Sequence, residues 1–343
     1  MLMENSLFLN TCLGNFTKEK PVWMMRQAGR YLPEYLKLRS EFPDFLSFVK
    51  NPKAAAEATL QPLRRFSLDA AILFSDILVL LPLLGIPLKF IPGFGPQIET
   101  PVRTEKNFYA YKGNALEKDL AFTKEAIELT KENLNKNIPL LGFIGGPLTL
   151  ASYAIEGKTS KDLHETKKLF YSNPEFYNSF LETIATLAGT YLKSQAKWGC
   201  DALVIMDSWA GHLSKQDYLQ MAFPYTKRVI EIAKEANVPI LHYANGAVHL
   251  LPEFLKLPAN GFGLDYRTDL KETLEKYPGV LFQGNLDPAV LLSTKQEIVK
   301  RTKEMLECTL NRPHIINLGH GILPETPLEN VQTFIETVKS VIV

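Results

Sequence analysis

Short apolar runs alternate along the chain with longer segments whose apolar residues recur at helical spacing. The short runs predict β-strands and the longer segments predict helices, because side chains repeat every two residues in a strand and about every 3.6 residues in a helix. The predicted strands are residues 22–25, 70–75, 139–144, 202–206, 239–243, 262–264, 280–283 and 314–317. The predicted helices include residues 52–66, 116–135, 174–198, 216–235 and 294–308.

Most of the predicted strands are apolar throughout, which is typical of a parallel sheet that is covered on both faces. About eight strand–helix units in one chain predict an α/β protein that forms a single (β/α)8 TIM barrel. No linker, repeat or low-complexity tract marks a boundary, so residues 1–343 are expected to form one domain. An open doubly wound sheet is the alternative.

Polar or flexible residues follow each predicted strand. They are Arg26-Gln27, Asp76, Gly145-Gly146, Asp207-Ser208, Asn245-Gly246, Asp265, Gly284-Asn285 and Gly319-His320. In a TIM barrel the active site is built at this end of the strands, and the fold itself needs no polar residue there. The pattern therefore predicts a ligand pocket.

Charge and composition narrow the class of ligand. With 38 Lys+Arg against 37 Asp+Glu and no polybasic run, neither a nucleic acid nor an anionic membrane is an expected partner. A small anion remains possible because it needs only a few Arg. The most apolar stretch, residues 70–88, contains Asp76, Pro82 and Pro87, which argues against a membrane span. Three widely spaced cysteines predict a cytoplasmic protein without disulfides or a cysteine-rich metal site.

The most informative segment is Arg26-Gln27-Ala28-Gly29-Arg30. Two Arg just after a strand can hold carboxylates or phosphates through planar two-pronged hydrogen bonds. Gly29 allows a close approach of the backbone. The alternative is a solvated loop or a dimer-contact loop.

Four further side chains are candidates, each with a structural alternative. Asp76 ends an apolar run, where a buried carboxylate is costly unless it accepts hydrogen bonds. Either a ligand donates them, or Asp76 caps the following turn. Tyr153 either points a phenol at the pocket or packs in the core. Ser208 lacks the preceding glycine of a hydrolase elbow, since Met206 stands there, so it is a hydrogen-bonding or turn-forming residue. His320 lies between glycines, so its imidazole either faces the pocket or forms a hydrogen bond with the backbone. A further alternative is that this glycine-rich turn binds a phosphate.

Several motifs are missing. Gly157-Lys158-Thr159 resembles the end of a P-loop, but Ser152 occupies the position where that motif requires its first glycine. There is no G-x-G-x-x-G after a strand, no H-E-x-x-H, no EF-hand loop, and no Lys at a predicted strand end. Neither a metal nor an organic cofactor is therefore expected.

The motifs resemble, in order, those of the uroporphyrinogen decarboxylase family. The likeness begins at residues 21–35 and continues through residues 60–78, 142–157, 207–213, 283–288 and 317–324. Because these segments span nearly the whole chain, and because the Arg-Gln-Ala-Gly-Arg element is highly specific, the chain is identified as a member of that family.

The resemblance implies a cytoplasmic homodimer of (β/α)8 barrels that acts in porphyrin and heme biosynthesis without a cofactor. The implied reaction converts the four acetate side chains of uroporphyrinogen III to methyls, with loss of CO₂, and gives coproporphyrinogen III. By the same resemblance, Arg26, Gln27, Ala28, Gly29 and Arg30 bind substrate carboxylates, Asp76 accepts the pyrrole N–H groups, and Tyr153, Ser208 and His320 make further polar contacts.

Asp76 and Arg26 are the expected catalytic residues. Protonating a pyrrole carbon turns the ring into an electron sink, and Asp76 beneath the ring nitrogens would stabilise the developing cation. Arg26 is the family-based candidate for the general acid, but a guanidinium, with a pKa above about 12, is a poor proton donor. A carboxylate-binding role for Arg26 and Arg30 is therefore the firmer expectation.

Two other functions remain open. Related cobamide methyltransferases bind zinc through a His-x-Cys on a strand, but the matching stretch here is His242-Tyr243-Ala244, without the cysteine. The third hypothesis is a tetrapyrrole- or anion-binding protein without activity. Leu148, where the family often has Trp, and Tyr266-Arg267, in place of its usual Trp-Thr, also depart from the family pattern.

Overall fold

The computed structural model describes residues 6–91, 93–108 and 116–341. In chain order, the strands of these residues are β1 (Ala71–Ile72), β2 (Leu88–Ile91), β3 (Gly95–Ile98), β4 (Leu140–Gly145), β5 (Ala202–Asp207), β6 (Ile240–Ala244), β7 (Gly261–Gly263), β8 (Phe282–Gln283) and β9 (His314–Ile315). The α-helices are α1 (Leu7–Cys12), α2 (Pro33–Arg39), α3 (Phe45–Val49), α4 (Pro52–Arg65), α5 (Leu116–Asp119), α6 (Ala121–Asn133), α7 (Pro147–Glu156), α8 (His164–Ser172), α9 (Pro174–Trp198), α10 (Lys215–Met221), α11 (Phe223–Ala233), α12 (Leu251–Phe254), α13 (Leu270–Lys276), α14 (Lys295–Thr309) and α15 (Leu328–Ser340).

Seven strands form one parallel sheet in the order β1-β4-β5-β6-β7-β8-β9. Each strand therefore pairs with the next strand of this sheet along the chain, and helices connect them. A doubly wound sheet reverses its strand order at a switch point, and no such reversal occurs here, so that alternative is excluded for the described residues. β2 and β3 form a separate antiparallel hairpin between β1 and α5, which the apolar pattern did not predict.

The sheet is buried on both faces, as the uninterrupted apolar runs predicted. Along β5, Leu203 and Ile205 pack into the large core shared with the helices, whereas Ala202 and Val204 belong to a second apolar cluster on the opposite face. That second cluster contains residues from both edges of the sheet, including Ile72 and Ile315. The sheet must therefore curl until its edges approach each other.

Residues 22–25 were predicted to form a strand but contribute only one isolated parallel bridge, between Val22 and Ile316. The backbone N–H of Met24 donates to Oε1 of Gln27 at 3.2 Å, and that of Met25 donates to Oδ1 of Asn317 at 3.1 Å. Side-chain amide oxygens thus accept hydrogen bonds from backbone N–H groups that, in a regular strand, would donate to carbonyls of a neighbouring strand.

Asparagine side chains cap two of the long helices. Asn51 caps α4 through the N–H of Ala54 at 3.0 Å, and Asn173 caps α9 through the N–H of Phe176 at 3.2 Å. By contrast, α15 has Pro327 at its N-cap and begins without a side-chain cap. Among the described residues, no helix is both long enough and apolar enough to cross a membrane.

Two predicted helices are each divided in the structure. Residues 216–235 form α10 and α11, which meet at Ala222 next to Pro224, and a 3₁₀ turn follows α11. A proline in the first turn of a helix is favourable, but inside a helix it removes a hydrogen bond, so the chain restarts there. Residues 116–135 divide into α5 and α6 at Leu120.

Candidate active site

The loop from Arg26 to Arg30 follows the Val22 bridge and carries two exposed guanidinium groups. Arg26 adopts a left-handed backbone conformation with φ of 61°, which is unfavourable for a residue with a β-carbon. Its side chain lies against Gly321, where an added β-carbon would stand 2.9 Å from Nε of Arg26. Among the ion pairs of the described residues, none joins Arg26 or Arg30 to a protein carboxylate, so both charges are available to a ligand.

Gln27 anchors this loop. Its fully buried side chain donates to the carbonyl of Ala70 at 3.1 Å and accepts from the N–H of Met24 at 3.2 Å, and its own carbonyl accepts from the Tyr31 hydroxyl at 2.8 Å. The Gln27 side chain therefore holds the loop against β1. Ala28 and Gly29 are half-buried.

Asp76 lies beyond the end of β1 and is half-buried. Its Oδ1 accepts from the N–H of Leu78 at 2.8 Å, so the side chain does cap the following turn. Burial raises the pKa of the Asp76 carboxyl to about 6, although the Leu78 N–H and the Arg26 charge act in the opposite direction. The second carboxylate oxygen has no protein partner in the described residues and is available to a donor in the site.

Tyr153, on α7, is half-buried and lies in the same site. Burial raises the pKa of its hydroxyl, the charge of Asp76 raises it further, and the charge of Arg26 lowers it. Its ring meets the Trp209 ring edge to face, with centroids 5.6 Å apart. Since Arg26, Asp76 and Tyr153 lie within electrostatic range of one another, the structure brings together residues that are far apart in the sequence.

Ser208 follows β5 and is held in place by Thr149 and Asp207. The Ser208 N–H donates to Oγ1 of Thr149 at 2.9 Å, and that hydroxyl donates to Oδ1 of Asp207 at 2.7 Å. Asp207 is fully buried, and this burial raises its pKa to about 6. The sequence placed Asp207 at a strand end but not among the binding residues. Its burial, which follows from α7 packing over it, is a tertiary effect.

His320 follows β9 and is half-buried. Burial lowers the pKa of its imidazole, and the nearby charge of Arg26 lowers it further, so the neutral form is favoured. The preceding Gly319 lies directly against the backbone of Tyr266, where an added β-carbon would stand 2.6 Å from the Tyr266 Cα. This contact places His320 beside the loop that follows β7.

His242, on β6, belongs to the stretch His242-Tyr243-Ala244, which has Ala244 in place of the cysteine of a zinc-binding His-x-Cys. It is fully buried, its ring lies 4.7 Å from that of Phe254, and neither ring nitrogen has a hydrogen-bond partner. Burial lowers its pKa to about 3. Within the part of the chain that the structure describes, no three His, Cys, Asp or Glu residues are grouped so that they could hold a metal ion.

The structure distinguishes two sets among the predicted site residues and places Ala28, Gly29, Arg30 and Ser208 in neither. Arg26, Asp76, Tyr153 and His320 interact electrostatically at the carboxyl ends of the strands. Gln27, in contrast, is committed to the protein interior. The fold and these residues together define an α/β protein with a curled parallel sheet, beyond whose strand ends lie a half-buried carboxyl and two guanidinium groups without a carboxylate partner among the described residues.

Comparison with known proteins identifies the family. The profile described as uroporphyrinogen decarboxylase (URO-D) matches residues 3–341. A uroporphyrinogen decarboxylase of Geotalea daltonii is 41% identical over 335 residues, which cover 97% of this chain and 98% of the relative. One from Carboxydothermus hydrogenoformans is 42% identical over 338 residues, covering 97% and 96% of the two chains. The chain belongs to the uroporphyrinogen decarboxylase family, which confirms the resemblance found in the sequence.

Solved structures support the fold alone. A methyltransferase from Methanosarcina mazei superimposes with a TM-score of 0.83 at 19% identity, covering 99% of both chains. A B12-independent methionine synthase from a Shewanella species gives a TM-score of 0.60 at 11% identity, covering 87% of this chain and 96% of that one.

Proposed function

We propose that this protein decarboxylates the four acetate side chains of uroporphyrinogen III and releases coproporphyrinogen III. The observation that carries the proposal is the half-buried carboxyl of Asp76 within the electrostatic range of Arg26, in a loop that also carries Arg30; among the described residues, no carboxylate pairs with either guanidinium. The substrate matches this arrangement, because it surrounds a centre of pyrrole N–H donors with eight carboxylates.

Arg26 and Arg30 bind substrate carboxylates through two-pronged hydrogen bonds. The buried Gln27 side chain holds the loop in position, so less conformational entropy is lost when the substrate binds. Ala28 and Gly29 bring the backbone between the two Arg close to the ligand. The left-handed φ of Arg26 is the conformational cost of presenting its guanidinium at this point.

Asp76 accepts the pyrrole N–H groups and stabilises the positive charge that forms during the reaction. A proton adds to the ring carbon next to the one that bears the acetate, which leaves the ring positively charged, with part of the charge on the acetate-bearing carbon. The bond between the acetate methylene and its carboxylate then breaks, CO₂ leaves, and the bonding electrons neutralise the ring. Protonation of the methylene carbon and loss of the first proton restore the pyrrole and complete the methyl, so each cycle consumes one proton and releases one CO₂.

The raised pKa of Asp76 supports this role. A carboxylate that burial destabilises gains most when a positive charge forms next to it. Tyr153, Ser208 and His320 supply further polar contacts around the ring. His320 is favoured in its neutral form, so it can both donate and accept a hydrogen bond. We retain Arg26 as the candidate for proton delivery, secondary to its role in binding carboxylates.

We also propose that the sheet closes into a (β/α)8 barrel and that residues 1–343 form one domain. Two contacts of the Val22 segment support closure. The N–H of Trp23 donates to the Ile316 carbonyl at 3.2 Å, and the N–H of Asp69 donates to the Val22 carbonyl at 2.8 Å. Val22 thus links β9 to the residues just before β1, as an eighth strand would. A homodimer in the cytoplasm completes the proposal, and sedimentation of the purified protein tests the dimer.

The release of CO₂ tests the reaction. Uroporphyrinogen III carrying radiolabel only in its acetate carboxyl groups is incubated anaerobically with the purified protein, in the presence and absence of a chelator. We expect four equivalents of labelled CO₂ per substrate in both conditions. Substrate labelled in its propionate carboxyl groups is the control and releases none. A chelator-sensitive reaction, or label released from propionates, would contradict the proposal.

A further inference from the structure

A third guanidinium group, that of Arg267, lies at the same end of the sheet in the loop after β7. Its side chain is 51% exposed. The guanidinium carbon lies 4.6 Å from the centroid of the Tyr266 ring, and Nη1 donates to Oδ1 of Asn245 at 3.4 Å. Arg267 is therefore held on two sides, although it sits at the rim of the site.

The loop that carries Arg267 is fixed by buried polar contacts. Asp265, whose side chain is 1% exposed, accepts from the N–H of Arg267 at 2.7 Å through Oδ1 and from the N–H of Gly246 through Oδ2. Asn285 donates to the carbonyls of Asp265 and Thr268 at 2.9 and 2.8 Å. The loops after β6, β7 and β8 are thus tied together, and the backbone that presents Arg267 is already ordered.

Arg267 faces the candidate active site. The backbone of its neighbour Tyr266 packs against Gly319, next to His320. Burial lowers the pKa of His320, and the charges of Arg26 and Arg267 lower it further; the same two charges oppose the burial that raises the pKa of Tyr243. Arg267 therefore belongs to the electrostatic surroundings of the site, although half of its side chain is exposed.

The protein leaves much of the Arg267 guanidinium unbound. Its nearest carboxylate, Asp265, stands 3.7 Å from Nη1 and already accepts backbone N–H groups through both oxygens. Asn245 is the one side-chain acceptor that the structure gives it among the described residues. Since a guanidinium has five N–H donors, the remaining edge is open to a planar anion.

We propose that Arg267 is a third carboxylate-binding residue, which holds a peripheral carboxylate of the substrate that is not reacting at that moment. The inference rests on the proposed function, since the carboxylate is one of the eight that the tetrapyrrole carries. A contact made equally in the bound substrate and in the transition state strengthens binding without changing the chemical step. Arg267 therefore acts on KM and leaves kcat unchanged.

The test compares Arg267→Gln and Arg267→Lys with a matched control, Arg301→Gln. Arg301, on α14, is also 51% exposed and also has a carboxylate at 3.7 Å, that of Glu304, but it lies outside the site. We expect Arg267→Gln to raise KM for uroporphyrinogen III by about tenfold at unchanged kcat, as removal of a charged contact typically does. Arg267→Lys, which keeps the charge but loses the two-pronged geometry, should fall between the wild type and Arg267→Gln. Arg301→Gln should match the wild type.

Two results would overturn the inference and differ from a failure of the proposed function. If the wild type is active and KM of Arg267→Gln stays within about twofold of it, Arg267 binds no carboxylate. If kcat falls while KM is unchanged, Arg267 acts on the loop structure instead, and thermal unfolding of both Arg267 variants would reveal this. A wild type that releases no CO₂ refutes the proposed function itself.

Discussion

Replacing Asp76 by Asn removes one negative charge and keeps nearly the same volume. The amide oxygen can still accept from the Leu78 N–H, as Oδ1 does at 2.8 Å, so the turn should persist. Burial raises the pKa of Asp76 from 3.8 to about 6, a difference that corresponds to about 3 kcal/mol. That free energy indicates how strongly burial destabilises the carboxylate. A ring cation beside it recovers the loss, so the variant should lose roughly 150-fold in kcat.

The assay is steady-state decarboxylation of uroporphyrinogen III under anaerobic conditions, with kcat and KM measured separately. KM should change by less than about fivefold, because Arg26 and Arg30 still bind the carboxylates. Asp287→Asn is the matched control. Asp287 is also half-buried, and its Oδ1 accepts a hydrogen bond at 2.9 Å from the N–H of Ala289, two residues further along the chain. If Asp76→Asn keeps kcat within threefold of the wild type while remaining folded, charge stabilisation by Asp76 is refuted.

Three further predictions follow from the same geometry. Arg26→Lys and Arg30→Lys should each raise KM by about tenfold, because an ammonium cannot form the two-pronged contact; an unchanged KM would exclude a carboxylate-binding role for that residue. Gly321→Ala places a β-carbon against the flexible Arg26 side chain, so it should lower kcat/KM by at least about tenfold with little change in thermal stability. In Gly319→Ala the added β-carbon meets the backbone of Tyr266 instead, so this variant should lose about 1–3 kcal/mol of unfolding free energy in urea. Because the pKa of Asp76 is raised to about 6 and its carboxylate is the active form, kcat/KM should be level at higher pH and fall as the pH drops below about 6; a profile level down to pH 5 would contradict this.

The sheet strands could be predicted because their signal is local. A run such as Ala202–Asp207 is buried on both faces, so it is apolar at nearly every position and needs no knowledge of its neighbours. Residues 22–25 looked similar but form only a bridge, since the side chains of Gln27 and Asn317, the latter distant in sequence, take two of the backbone donors. The hairpin of β2 and β3 was missed because each strand has only one buried residue, Leu88 in β2 and Ile98 in β3.

The proximity of some predicted site residues could be anticipated from their places in the sequence, whereas the orientation of their side chains could not. Arg26, Asp76, Tyr153 and His320 share one electrostatic environment, as their positions after strands suggested. The buried side chain of Gln27 could not be foreseen, because its acceptor is the carbonyl of Ala70, on a different loop.

The remaining site features also depend on tertiary contacts. The burial of Asp207 depends on its approach to Gly146 at the start of α7, and the placement of Arg267 depends on contacts with the loops after β6 and β8. No local pattern in the sequence encodes either arrangement.

The most direct test of the central claim is the identity of the product. Purified protein is incubated anaerobically with uroporphyrinogen III, and the products are oxidised to porphyrins and separated by the number of carboxylates they carry. The account predicts a series that descends from eight carboxylates and ends at four, as coproporphyrin III, with the same yield after chelator treatment. Recovery of the eight-carboxylate substrate alone, even if it copurifies with the protein, would contradict it.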